Sequence, residues 1–479
     1  VQLALNESRS GSPLPLAGEA LSFDDVILLP GLAPVEPWQV DIRSKASRSV
    51  PVNLPLLAAP MDTVSEWRLA VSLALLGGVA VIHRNMPREE QLEHVLRAKN
   101  HPLVELRGIA FSPSDECCRV RDALRSLGLR DAPLVDGAGR VTGIARLSDL
   151  LACSCGEPVA KHAAPPRTYS LESVEDAKRD VIRGSIDAAP VVSDAGFLGV
   201  VTLSEAVAPY SPALDEEGRL RVAAAVSPFD LERARLLDGK ADILVSDVAH
   251  FHNVNVLSAA ARLVRETATD FVAGNLGTRE GVVDAFSRLE RVDGLRMGIA
   301  GGNICTTSGV AGVASPTLHA VAEARQALRE LGVDPLEAPI IADGGIRGSG
   351  DAVKALAAGA AAVMAGYLLA GTEEAAAPTI RIGGQVFKPY RGMASRGALE
   401  RRHAADRYSR VSKRVEEGIE GLVPYKGPLR RVVEGFAEGL RAGLGYAGAS
   451  GIPELWEKAR FARLTSRIGA FTGTVRTSL

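Results

Sequence analysis

Short apolar runs of four to eight residues recur along the chain, each bounded by turn residues and most followed by a stretch with helical spacing. Such runs are the signature of parallel strands buried on both faces. Two fall early, PLLAAPMD (55–62) and GVAVIH (78–83), with an amphipathic segment after Ser65 between them. The rhythm breaks near residue 100 and resumes near 220. Six more runs follow: LRVAAAVSP (220–228), ADILVSDVA (241–249), DFVAGNLG (270–277), LRMGIAGG (295–302), PIIADGG (339–345) and AAVMAGYLLAG (361–371). Two early and six late strands make eight, so the pattern predicts an α/β fold, a (β/α)8 barrel interrupted after its second strand. Several runs end in Gly, Asp, Asn or Pro at the C-terminal strand ends, where such barrels place their active sites. We therefore expect a catalytic barrel over 1–100 and 211–479 with an inserted domain over 101–210.

The insertion contains a repeat. Residues 120–151 (VRDALRSLGLRDAPLVDGAGRVTGIARLSDLL) parallel 174–207 (VEDAKRDVIRGSIDAAPVVSDAGFLGVVTLSEAV). Each copy reads helix, Ala-Pro-apolar strand, Asp/Gly turn, Gly-started strand and second helix. The pair resembles a tandem CBS (Bateman) domain, with Pro165-Pro166 as the linker between copies. Residues 396–427 are dense in charge and glycine with weak periodicity, which predicts a long irregular segment of the kind that forms a lid. Residues 1–18 read as a lead-in.

Composition changes this picture little. A 46% hydrophobic chain affords a large core, and a net charge of −2 gives no bulk attraction to nucleic acid or anionic membrane. No run of about 18 apolar residues is free of charge, so no transmembrane helix is expected. The N-terminus lacks the order of a signal peptide. Five cysteines, an odd number, argue without such a signal for reduced thiols and a cytoplasmic location. Cys153-Ser-Cys155 has the wrong spacing for zinc and no second pair to match it.

The most reactive local pattern is Gly301-Gly302-Asn303-Ile304-Cys305-Thr306-Thr307, directly after a strand. A thiolate on such a rim loop can attack an electron-poor ring carbon. Spacing alone favours the plainer reading, a small buried cysteine. The wider context shifts the balance. SFDDVILLP (22–30), APMDTVSE (59–66), GGVAVIHRNM (77–86), the twin repeat, GGNICTT (301–307), IIADGGIRGSGD (340–351), AGYLLAGTEEA (365–375), YRGMAS (390–395) and EEGIEGLVPYKG (416–427) stand in one order. From about residue 20 to 468 the chain resembles the IMP dehydrogenase/GMP reductase family.

That resemblance implies a NAD-dependent oxidation of IMP to XMP, a step of guanine nucleotide synthesis. Cys305 would attack C2 of the purine and Thr307 would bond beside it. Asp343 would accept from both ribose hydroxyls, as a carboxylate does well; its alternative role is a helix N-cap. Gly344, Gly345 and Gly366 would offer N–H groups to the 5′-phosphate. Tyr390 and Ser395 would add hydroxyls, with Met61, Asn303, Tyr367, Gly392, Met393, Ala394 and Glu417 completing the nucleotide site. Asp247, Asn275 and Gly298 would meet the nicotinamide riboside. No GxGxxG follows a strand, so NAD does not emerge from the residues without the family. The carbonyls of Ala300, Gly302 and Cys305 would hold a monovalent cation, typically potassium. Arg407-Tyr408 matches the family's mobile flap, whose arginine activates water; by composition alone Arg407 reads as a solvated surface residue. Asp149, Thr202 and Glu205 would contact a regulatory purine nucleotide, and the assembly would be a homotetramer able to pair into octamers.

Several positions depart from the family pattern. Asn303 and Tyr367 stand where phosphate-binding serines are usual, Ala58 replaces a serine, Phe251 and Ala394 replace glycines, Ala300 replaces a glycine, and Arg146 replaces a threonine. Three readings therefore stay open: IMP dehydrogenase; GMP reductase, which deaminates GMP with NADPH and needs no flap base; and a silent nucleotide sensor acting through the repeats.

Overall fold

The computed structural model describes residues 18–208, 211–401, 403 and 417–465. Its centre is a closed barrel of eight parallel strands: β1 (Leu56–Ala58), β2 (Val79–Ile82), β3 (Ala223–Val226), β4 (Ile243–Ser246), β5 (Asp270–Leu276), β6 (Gly294–Met297), β7 (Ile340–Asp343) and β8 (Ala362–Ala365). β8 closes on β1 in register Val363↔Leu56, and β2 pairs β3 across the insertion in register Ala223↔Val81. All eight predicted strands are present. The last run is shorter than its apolar stretch, because Tyr367–Ala370 turns into a helix.

Alternation within each strand explains why the runs are apolar throughout. Leu57, Val79, Val81, Ala223, Ala225, Ile243, Val245, Val272, Ile341, Ala362 and Met364 fill the barrel interior. Their neighbours Leu56, Ala58, Ala80, Ile82, Ala224 and Leu244 pack outward against the helices. A hairpin of Ser44–Ser47 and Val50–Val52 plugs the N-terminal end through Ala46, Val50 and Val52, and Ser47 Oγ bonds Asp270 Oδ2 at 2.7 Å. The opposite, C-terminal end stays open.

Between β2 and β3 the chain forms two small units that follow the sequence repeat. One has helix Cys117–Leu127 against the antiparallel pair Asp131–Val135 and Val141–Arg146. The other has helix Val174–Ile182 against Ala189–Ser193 and Gly196–Val201. They interlock reciprocally: Asp187 N–H donates to Asp131 Oδ1 (3.0 Å), and Arg130 N–H to Asp187 Oδ2 (2.8 Å). Where the chain leaves and re-enters the barrel, the Lys99 ammonium bonds Asp215 (2.7 Å) and Asp242 (2.8 Å), all three nearly buried.

The expectation of reduced thiols fails. Cys117–Cys153 and Cys118–Cys155 are disulfides, and only Cys305 is free. The fold supplies the second pair that the sequence spacing hid: helix Cys117–Leu127 lies against the turn at 153–155, and Cys117 and Cys153 both enter the small core there. Within 396–427 the described residues include regular elements at both ends. Arg396–Glu400 is a helix, and Glu420–Pro424 pairs with Gln385–Arg391. Among the described residues no helix is long and apolar enough to cross a membrane. The lead-in over 1–17 and the Arg407-Tyr408 pair lie outside the described residues.

Candidate active site

The loop after β6 begins with a turn that needs a glycine. Gly298 has φ +124°, and a Cβ there would sit 2.3 Å from the Asp343 carbonyl oxygen. Ala300 follows at φ +61°, a left-handed conformation that side chains rarely adopt. The loop then runs antiparallel to 417–419: Thr306 N–H donates to Glu417 O (3.0 Å), and Ile419 N–H to Ile304 O (3.1 Å). Cys305 pairs directly with Gly418.

That pairing brings three side chains into line. Thr307 Oγ1 donates to Glu417 Oε2 at 2.9 Å and lies 3.2 Å from Cys305 Sγ. Since the threonine proton goes to the carboxylate, its lone pairs face the thiol, so the S–H donates. Cys305, Thr307 and Glu417 thus form a continuous hydrogen-bond chain from sulfur to carboxylate.

The thiol opens into a cleft at the C-terminal ends of the strands. Met61, Asn303, Asp343, Gly344, Gly345, Gly366, Tyr367, Tyr390, Gly392, Met393, Ala394 and Glu417 line it, as do Asn275, Gly298, Ala300, Gly302, Cys305 and Thr307. The structure thus gathers most of the expected site residues. Asp343 is not a helix cap, since Gly348 fills that place before Ser349–Ala358. Its Oδ2 accepts from Asn275 Nδ2 and Arg296 Nε, both at 2.8 Å. Gly366 leaves no room for a side chain: a Cβ would lie 2.6 Å from Met61 Sδ and 2.9 Å from the Tyr390 hydroxyl. Burial first, and then the Asp343 carboxylate, raise the Tyr390 phenol, so it stays a neutral hydrogen-bonding group.

Two expectations, Asp247 and Ser395, are placed away from the cleft lining. Asp247 lies beneath the cleft, 0% exposed, against Arg84 and Arg296. Ser395 is buried and caps helix Arg396–Glu400 through Ala398 N–H. Thr202 and Glu205 are buried in the insertion and hydrogen-bonded to each other as a capping box, while Asp149 is exposed. Sequence reasoning missed Arg296 and Arg84. The available signal was a cation within or just after an otherwise apolar strand run.

Among the described residues no cluster of three His, Cys, Asp or Glu side chains can hold a metal. The carbonyls of Ala300, Gly302 and Cys305 share one tight turn, in which Gly302 O accepts from Cys305 N–H at 3.1 Å. For a nicotinamide, the fitting feature is Asn275 Oδ1, buried at the cleft wall with no hydrogen-bond partner. A carboxamide N–H₂ would satisfy it.

A closed parallel eight-stranded barrel with a free thiol on the loop after its sixth strand and a glycine-lined cleft at the C-terminal strand ends is the architecture of a barrel enzyme. Residues 20–470 match the model of the IMP dehydrogenase / GMP reductase domain, and the chain belongs to that family. It is 44% identical over 454 residues to the inosine-5′-monophosphate dehydrogenase of Korarchaeum cryptofilum, covering 93% of this chain and 94% of that one. The Aquifex aeolicus protein of the same name is 40% identical, with 93% of each covered. Among solved structures, a cysteine-to-alanine GMP reductase from Trypanosoma brucei bound to guanosine 5′-monophosphate aligns at TM-score 0.67 and 34% identity, over 94% of this chain and 96% of that one.

Proposed function

We propose that the chain oxidises IMP to XMP with NAD through a covalent bond to Cys305. The observation that carries this reading is the Cys305–Thr307–Glu417 chain opening on a cleft with Asp343 and the glycines at 344, 345 and 366. Loss of the thiol proton along Thr307 to Glu417 frees the thiolate, which bonds to C2 of the purine. The C2–H electron pair then departs as hydride. NAD, when bound, is the hydride acceptor. Water adds to C2, gives up a proton and displaces Cys305, releasing XMP. The resemblance assigns the activation of water to Arg407, with Tyr408.

Asp343 holds the ribose and thereby fixes C2 over the sulfur; Gly344, Gly345 and Gly366 hold the 5′-phosphate by backbone N–H groups. Met393, Ala394 and Glu417 border the base. Asn275 and Gly298 take the carboxamide side of the cofactor. A monovalent cation at the Ala300, Gly302 and Cys305 carbonyls would brace the loop that carries the thiol. A purine nucleotide at the insertion, through Asp149, Thr202 and Glu205, and assembly into tetramers and octamers complete the reading. The reading includes a cytoplasmic location, against which the two disulfides stand.

GMP reductase is the second reading, favoured by the structural likeness to the trypanosomal enzyme. The Thr307–Glu417 pair serves either reaction. One side-by-side assay decides: the purified chain in potassium buffer with IMP and NAD, and with GMP and NADPH. NADH from IMP is expected, with none from Cys305→Ala. NADPH consumption with GMP and no NADH from IMP would overturn the first reading.

A further inference from the structure

Two side chains, one at each end of a cleft-lining loop, converge on a single buried carboxylate. The loop at 392–395 follows strand Gln385–Arg391 and leads into helix Arg396–Glu400. Gly392, Met393 and Ala394 line the cleft. At the start of the loop, Arg391 Nε donates to Asp62 Oδ1 at 3.0 Å and its Nη2 to Oδ2 at 2.6 Å. Beyond its end, Asn85 Nδ2 donates to the Ala398 carbonyl at 3.1 Å and to Asp62 Oδ2 at 2.8 Å. The Asp62 and Asn85 side chains are buried, and Arg391 is partly exposed. Burial alone would raise the Asp62 carboxyl, but the Arg391 guanidinium and then the Asn85 amide hold it below the usual carboxylate range. The loop is in turn stitched to the catalytic residues. Glu417 N–H donates to Ala394 O at 3.2 Å, and a Cβ on Gly392 would lie 3.2 Å from Ile304 O and from Gly418 Cα.

We infer that Asp62 is a positioning residue for the purine base, clamping the loop at 392–395 through Arg391 at one end and Asn85 at the other. The inference rests on the reading above in taking Met393 and Ala394 as the border of the base. Asp62 itself does not line the cleft, so it acts through the loop. Asn85 is a side chain placed for its donors. Its Nδ2 serves two acceptors on separate segments, while its Oδ1 is buried with no hydrogen-bond partner among the described residues. A buried acceptor left unpaired costs stability, and turning the amide over would set oxygen against oxygen at both contacts. Bridging the two segments is the role that fits. Arg391 also faces the exposed carboxylates of Glu420 and Glu400, and its N–H reaches Thr63 Oγ1 at 3.5 Å. Without the Asp62 charge the guanidinium is left to those two carboxylates, and the loop loses its inner anchor. The base then shifts against Cys305. Asp343, Gly344, Gly345 and Gly366 stand on other loops and keep the ribose and phosphate where they were.

The test measures IMP and GMP binding by calorimetry without cofactor, and ribose 5-phosphate binding by displacement of the tighter nucleotide. Ribose 5-phosphate carries the sugar and phosphate but no base. The choice of the wild-type protein between the two nucleotides tests the proposed reaction, whereas the ratio of variant to wild type tests this inference. Asp62→Asn should raise the nucleotide Kd about tenfold, the scale of a charge-assisted hydrogen bond, and the ribose 5-phosphate Kd less than about threefold. Arg391→Lys keeps the charge without the two-point contact and should raise the nucleotide Kd about threefold. Asp62→Asn leaves a partly buried guanidinium without its partner, so Asn85→Ala is the variant that tests the inference if that one does not fold. It leaves the ion pair in place and should raise the nucleotide Kd about fivefold, the scale of one neutral hydrogen bond, with ribose 5-phosphate again within about threefold. Unchanged nucleotide binding in Asn85→Ala, or an equal loss for nucleotide and ribose 5-phosphate in either variant, would overturn the inference. A wild-type chain that binds neither nucleotide would overturn the proposed function as well.

Discussion

Glu417 sits at the far end of the thiol's hydrogen-bond chain, and its charge is what gives that chain a direction. Gln in its place keeps an acceptor oxygen for Thr307 but cannot take a proton. Glu417→Gln should lower kcat about 10²-fold, the low end of general-base effects, with nucleotide Kd changed less than threefold. Equal loss in Kd and kcat would mean that the carboxylate merely holds the base. Ala300 makes a different prediction. An L residue at φ +61° costs about 1–2 kcal/mol, while glycine loses more entropy on folding, at a cost of about 0.5–1 kcal/mol relative to alanine. Ala300→Gly should therefore stabilise the protein by roughly 0.5–1 kcal/mol in urea unfolding. A destabilised variant would show that the alanine methyl packs usefully in the loop. Single residues of this kind were only partly legible. Cys305 and Asp343 stood at strand ends in recognisable motifs. The burial of Asp247 depends on Arg84 and Arg296, 163 and 49 positions away, and no local pattern encodes that.

Elements were far more legible, because a strand buried on both faces is apolar at most positions and little else in a chain of this type is. Their ends were less so. AAVMAGYLLAG continues apolar past Ala365, but Gly366 breaks the extended backbone, and Lys426 Nζ holds the carbonyls of Tyr367 and Leu368 at 2.8 Å in the helix that follows. The disulfides escaped notice because a Cys-Cys and a Cys-x-Cys in separate elements meet only when helix Cys117–Leu127 docks. Docking also creates a pH-sensitive contact. Glu374 Oε2 accepts from Leu429 N–H at 2.8 Å, at the start of helix Leu429–Tyr446, and burial pushes its carboxyl up to about 7. The folded state therefore binds this proton more tightly than the unfolded one. Its contribution is fully present below the unfolded value of 4.5 and is lost as pH rises through about 7. Glu374→Gln keeps the acceptor without the charge. It should stabilise the protein by about 1–2 kcal/mol at pH 8 and have little effect at pH 4.5. Equal effects at both pH values in denaturant titrations would refute the linkage.

At the scale of the whole molecule, the barrel and the insertion are built on different terms. The barrel has the larger core and no disulfide. The insertion divides into two small units, each with its own minor core, and the first is closed by Cys117–Cys153 and Cys118–Cys155 over sequence separations of 36 and 37 residues. A bridge closing a loop of that length stabilises by about 4 kcal/mol, and two adjacent bridges across the same helix and turn overlap rather than add. The connection to the barrel runs through Lys99, Asp215 and Asp242, a buried ionic clamp that reduction does not touch. Reduction should therefore separate what the disulfides hold from what the barrel core holds. With dithiothreitol, hydrogen exchange over 117–155 should rise at least tenfold, while exchange in β3 to β8 stays at its oxidised level and turnover changes less than threefold. Four thiols per chain should become newly titratable beyond Cys305. If the barrel strands open together with the insertion, the two parts form one cooperative unit, and the clamp rather than the disulfides sets the stability of the first repeat.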